Sequence, residues 1–180
     1  MAETAKEKTT REVAGIFARH HFTYMASVFI HTDDIDERTK TIARIKRIVK
    51  EENPDLYVFF FLTTHTEKAT GEVQLYLTFF TWDSLVGVRL RKEQEHGCIA
   101  IAGESRSKPN RKRISQGFSI MKMQGWINKI RRDKVFDLRL FFGKAQVKRY
   151  GFLNAKKKPS DNQLASFKAD YVERYGRALE

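Results

Sequence analysis

Apolar and polar positions alternate with two different periods along this chain. "FTYMASVFIHT" (Phe22 to Thr32) is rich in β-branched and aromatic residues and reads as a strand. Asp34 follows as an N-cap with Glu37 three residues on, and the period lengthens to that of a helix. Ile35, Ile42, Ile45, Ile48 and Val49 then share one side, while Arg38, Lys40, Arg44, Lys46, Arg47 and Lys50 fall mostly elsewhere. Pro54 restricts the residue before it, so this helix ends near Asn53. "DLYVFFFLTTH" is apolar on both alternating faces, which predicts a central strand. After the turn "TEKATG", "EVQLYLTFFTW" returns as a strand, with Val73, Leu75, Leu77 and Phe79 on one face. "DSLVGVRLRKEQEHG" is read as a helix stopped by Gly97, although Val86, Val88 and Leu90 alternate as a strand would. "CIAIAG" is a short buried strand.

These elements run β-α-β-β-α-β, the order of the ferredoxin-like split unit, in which helices cover one face of an antiparallel sheet. The expected class is α+β. The tail and short helix occupy residues 1–21, with Thr9 and Glu12 as a capping box. The α+β core spans 22–104, a basic extension 105–158, and a final helix 159–180. In the extension "SQGFSIMKMQGWINKIRR" predicts a helix, and "KVFDLRLFF" and "KAQVKRYGFL" predict strands about a turn at Gly143. That order admits a winged-helix reading, though "SRSKPNRKR" stands where a preceding helix belongs. Ser160 and Gln163 form a capping box, and Leu164, Phe167, Tyr171 and Tyr175 stripe the last, amphipathic helix. That stripe serves a core or a second subunit equally well, so the oligomeric state stays open.

Charge changes this picture. The net charge is +12. Residues 105–158 hold 17 lysines and arginines against Asp133 and Asp137, a net +15, while the rest holds 17 basic and 20 acidic groups, a net −3. Repulsion on that scale is relieved by a polyanion. The basic residues are interleaved with aromatics, which a disordered tail would leave in water, so the segment is expected to fold. The expected partner is nucleic acid, DNA slightly ahead of RNA because no complete RNA-binding motif is present, bound without catalysis or cofactor. Arg106, Lys108, Arg111, Lys112 and Arg113 form an arm. Lys122, Lys129, Arg131, Arg132, Arg139, Lys144, Lys148, Arg149, Lys156, Lys157 and Lys158 continue the charge along phosphates, with Trp126 and Tyr150 as exposed rings for stacking. Phe29, Tyr76 and Phe80 resemble in arrangement the stacking surface of an RNA-recognition motif. However, "TGEVQLYL" lacks the basic residue and glycine of that motif, and Glu72 has the wrong charge. This likeness is read as coincidence, with the rings beneath a neighbouring element.

Enzymatic readings fare worse. His20, His21, His31, His65 and His96 form no HxxxH or HExxH pair, and Cys98 has no cysteine partner, so no metal site is expected. A nickase of the rolling-circle kind needs two histidines one residue apart on a strand, whereas His20 and His21 are adjacent. A metal-dependent nuclease built on Asp55 and Glu72 needs both carboxylates on one ion, and the hairpin puts them at opposite ends. A nuclease or nickase, and a basic subunit docking on an acidic partner, remain the alternatives. The charged opening "MAETAKEKTTREV", the lone cysteine and the absence of a long apolar run predict an intracellular, cytoplasmic protein with no membrane partner.

Overall fold

The computed structural model describes residues 1–103, 112–132, 138–143 and 147–179. The fold is α+β, built on a six-stranded antiparallel sheet. Helix α1 (Ala5–His20) leads into β1 (Tyr24–Ile30), α2 (Ile35–Glu52), β2 (Val58–Thr66) and β3 (Val73–Thr81). Helix α3 (Val88–Glu93), a 3-10 turn, β4 (Ile99–Ile101) and β5 (Gln116–Gly117) follow. The chain continues through α4 (Ile120–Arg132), α5 (Arg139–Phe142), β6 (Tyr150–Leu153), a second 3-10 turn (Ala155–Lys157) and α6 (Asp161–Tyr175). The sheet order is β4-β1-β3-β2-β6, with β5 pairing separately on β1.

Local chemistry sets most element ends. The Glu37 amide donates to Asp34 Oδ1 at 2.9 Å, the cap read from sequence. Ser160 and Gln163 form the expected capping box of α6. The first helix begins earlier than expected: Thr4 and Glu7, not Thr9 and Glu12, make its capping box, so the chain is helical from Ala5 on. Both pairs fit the same spacing, and the earlier one wins because the added turn keeps the period of Val13 and Phe17. Gly97 closes the 3-10 turn at φ 77, where a side chain would be strained. The helix before it starts only at Val88, because Val86 bridges to Arg113.

The sheet has a core on each side. Ala26, Val28, Ile30, Phe60, Leu62, Leu75, Leu77 and Phe79 pack beneath Ile42, Ile45, Ile48 and Val49 of α2 and Leu90 of α3. The expectation of helices on one face alone is corrected. Phe59, Phe61 and Phe80 point the other way, into a second core with Val13 and Phe17 of α1, Met123, Trp126, Ile127 and Ile130 of α4, and Tyr171 of α6. The reason lies in β2, whose two faces are both apolar and must both be covered. Strand β6 pairs with β2 from Val58↔Leu153 to Phe61↔Tyr150, so β2 lies inside the sheet. Residues 139–142, expected in a strand, form the short α5, whose Phe141 and Phe142 join the first core. The predicted Gly143 hairpin is not seen among the described residues, since β6 pairs with β2 instead.

Candidate nucleic-acid interface

Helix α4 carries Lys122, Lys129, Arg131 and Arg132 of the basic segment, and its periodicity sorts the side chains. Ile120, Met123, Trp126, Ile127 and Ile130 turn inward, leaving Lys122, Arg131 and Arg132 exposed. Trp126 is a correction: it is only 8 % exposed, with its ring set edge-on to Phe61 and Phe80. Its polar nitrogen suggested an exposed position, but the i, i+3, i+4 pattern of α4 outweighs that signal. Lys122 Nζ donates to the Gly117 carbonyl at 2.7 Å.

Lys129 lies at the edge of the buried stripe. Its ammonium is 4.9 Å from the Trp126 ring centroid and 5.4 Å from that of Tyr76. Tyr76 in turn lies 5.1 Å from Phe29, and Phe29 is 4.2 Å from His31. Phe29 and Tyr76 are paired across β1 and β3 and are both half-buried. They occupy the end of the second sheet face beyond the core of α1 and α4. Phe80, grouped with them by sequence, is fully buried beneath Phe17, Phe118 and Trp126. So the sequence reading that these rings lie under a neighbouring element describes Phe80 but not Phe29 or Tyr76. A cleft of about 370 Å³ runs beside Tyr76, with Ser27, His65, Gln116 and Lys129 in its walls. The Ser27 hydroxyl in its wall is hydrogen-bonded to that of the buried Thr78 at 2.6 Å. Alternation in β1 and β3 signals these rings, but only the packing of α4 brings Lys129 to them.

The other basic candidates are dispersed. Arg113 is held on the α2–α3 side of the sheet, where Nη1 donates to the Ser84 carbonyl at 2.6 Å, and the Lys112 carbonyl accepts from Gly87. Lys148 lies near Lys46, whose ammonium sits 4.5 Å from the Phe60 centroid; burial and the Lys148 charge push that ammonium's pKa down. Arg149 reaches the Leu62 carbonyl at 3.4 Å. Asn154, at φ 58, donates to the Asn53 and Leu56 carbonyls at 2.8 Å each and so fixes the turn that carries Lys156 to Lys158. Lys157 pairs with Asp55 at 3.4 Å. Tyr150 is half-buried and donates its hydroxyl proton to Glu12. Arg106, Lys108, Arg111 and Lys144 lie outside the described residues, as does the side chain of Arg139.

The histidines are placed structurally. His20 stacks against Phe22 at 5.3 Å and Trp82 at 5.8 Å, with Nδ1 3.0 Å from the Ile16 carbonyl. His21 caps α1 in a left-handed conformation, edge-on to Tyr171, with both ring nitrogens unpartnered. The Arg19 carbonyl offsets part of that without reaching hydrogen-bond geometry. Asp55 precedes β2 and Glu72 precedes β3, at opposite ends of the hairpin. No three His, Cys, Asp or Glu side chains gather around a metal-sized space among the described residues. No helix among them is long and apolar enough to cross a membrane.

Burial holds both imidazoles below their ordinary value of 6.5, His21 with help from the Lys168 charge and His20 with help from Arg19 and Lys158. The unfolded chain therefore binds more protons than the folded one once the pH falls below about 6.5. Stability is fully present above that value and is lost as pH falls toward the folded pKa values. The urea midpoint is expected to be lower at about pH 5.5 than at about pH 7.5, and His21→Phe should shrink that difference.

Comparison with known proteins returns no match, whether among family models, curated proteins or solved structures.

Proposed function

We propose that this protein binds nucleic acid through phosphate contacts and base stacking and does not act on it chemically. The observation that carries the reading is the junction of Lys129 with the half-buried pair Phe29 and Tyr76, beside the exposed Arg131 and Arg132. A strand whose phosphates follow α4 brings its bases over those two rings. Stacking on aromatics is tolerant of base identity, and cations beside it release counterions. DNA is favoured slightly over RNA, since no complete RNA-binding motif accompanies the rings. The fold is read as the ferredoxin-like split unit, supported by the β-α-β-β-α-β succession and the antiparallel order β4-β1-β3-β2, to which β6 adds an edge. The single cysteine, Cys98, fits a reducing compartment and with it a cytoplasmic location.

Binding to labelled single-stranded and duplex DNA at about 50 and about 200 mM salt tests this. With six or more phosphate contacts affinity is expected to drop on the order of a thousandfold across that range. Affinity indifferent to salt would sink the proposal. Tyr76→Ala and Phe29→Ala are each expected to weaken single-strand binding by about 1–3 kcal/mol and duplex binding much less, read by fluorescence anisotropy.

A further inference from the structure

A second cleft, about 480 Å³ in volume, lies between α1 and β6, on the side of the second core away from the Tyr76 rings. Its size falls within the range of small-ligand sites. Tyr57, Tyr150 and Phe152 give it an aromatic wall, and Arg19 and Lys158 stand at its rim. We propose that this cleft binds a nucleoside phosphate, with the base against Tyr150 and Phe152 and the phosphate held by Arg19 and Lys158.

Three observations carry the assignment. The first is Gly15. A glycine inside a helix costs about 1 kcal/mol relative to alanine. Close packing does not require it here, since a Cβ on Gly15 would meet nothing within 4 Å. Its bare backbone is a wall of the cleft, where a flat ring can approach closely. The second is charge. Arg19 and Lys158 come from elements far apart in sequence, yet both act on the His20 imidazole in the cleft wall, and Arg19 also acts on the Tyr57 hydroxyl. Neither cationic side chain has a hydrogen bond or ion pair among the described residues. Two unpaired cations over one wall raise the local concentration of an anion. The third is polarity. Glu12 lines the opposite end, accepting the Tyr150 hydroxyl proton. It stands seven residues from Arg19 on one helical stripe, about 10 Å at the rise of a helix. Its negative charge turns a phosphate away from that end and toward Arg19. The Tyr57 and Phe152 rings are stacked at 4.5 Å and 5°, so the wall is already ordered before a ligand arrives.

This site does not depend on polynucleotide binding, because a free nucleotide and the 5′-phosphorylated end of a strand present the same chemistry. Calorimetric titration of the full chain distinguishes them. AMP is expected to bind with a dissociation constant below about 1 mM, and adenosine and inorganic phosphate each at least about tenfold more weakly. A 5′-phosphorylated hexanucleotide that outcompetes AMP, and loses that advantage without its phosphate, identifies a strand end. Equal competition identifies the free nucleotide. Gly15→Leu fills the cleft while improving helix propensity, so its melting temperature should not fall, and AMP binding should drop at least about tenfold. Arg19→Gln combined with Lys158→Gln should do the same. Substitutions at Arg131 and Arg132 should leave AMP binding unchanged, which separates this site from the α4 interface. No AMP binding at millimolar concentration, or AMP binding undiminished by Gly15→Leu, would overturn the assignment.

Discussion

Changing Lys129, Arg131 and Arg132 together to serine is expected to weaken nucleic-acid binding by about tenfold per lost contact near 0.1 M salt, and to lower the log–log salt slope by about one unit for each. Arg131 and Arg132 sit on a regular helix whose opposite stripe is buried, so their backbone positions are already fixed. Little ordering entropy is lost when they meet phosphates. The matching experiment replaces Arg106, Lys108, Arg111 and Lys112 by serine. Arg113 is spared because its guanidinium donates to the Ser84 carbonyl, a contact within the fold that serine would lose. Per charge, the α4 set should weaken binding more than the arm. Equal effects per charge would indicate diffuse attraction without a defined site. Undiminished binding after both sets are removed would contradict any role for the basic third.

Phe17→Ala is expected to destabilise the protein by about 3–5 kcal/mol, a large part of the roughly 5–15 kcal/mol that holds a domain together. Phe17 is fully buried, and its ring meets Phe22, Phe59, Phe80 and Phe118 at centroid distances of 5.0 to 6.3 Å. Truncation leaves a cavity that four rings and the sheet behind them cannot close. The contrast with Phe29→Ala is instructive. Phe29 is also an aromatic residue pointing to this side of the sheet, but it lies half-exposed beyond the helices. Its truncation should cost far less stability while weakening single-strand binding. A urea titration of both variants at one pH checks the pair. A loss at Phe29 as large as at Phe17 would mean that the platform is core.

The two expectations differ in how legible they are. Helix α2 with its Asp34 cap, the β2–β3 hairpin and the capping box of α6 follow from short-range chemistry, which the order of residues carries by itself. Periodicity applied strictly to α4 would have placed Trp126 inside with Met123, Ile127 and Ile130. The stretch at Leu138 to Phe142 misled for the opposite reason: an apolar run of that length suits a strand or a helical turn equally, and docking against α2 selects the turn. Likewise the spacing that suggested a cap at Thr9 recurs at Thr4, the cap the structure uses, and local spacing does not rank the two.

From the sequence come most element types, α5 excepted, the two-sided burial demanded by "VFFFLTT", and the concentration of positive charge after Gly103, because each depends on side chains near one another along the chain. The tertiary structure decided that β6 joins the sheet beside β2, that α1 and α4 close the second face over Phe80 but leave Phe29 and Tyr76 at its margin, and that Arg19 and Lys158 meet across one cleft. Those outcomes bring together residues up to 139 positions apart in sequence, as Arg19 and Lys158 are. Nothing local specifies such a meeting; it arises only when the burial of two apolar faces has fixed where every element lies.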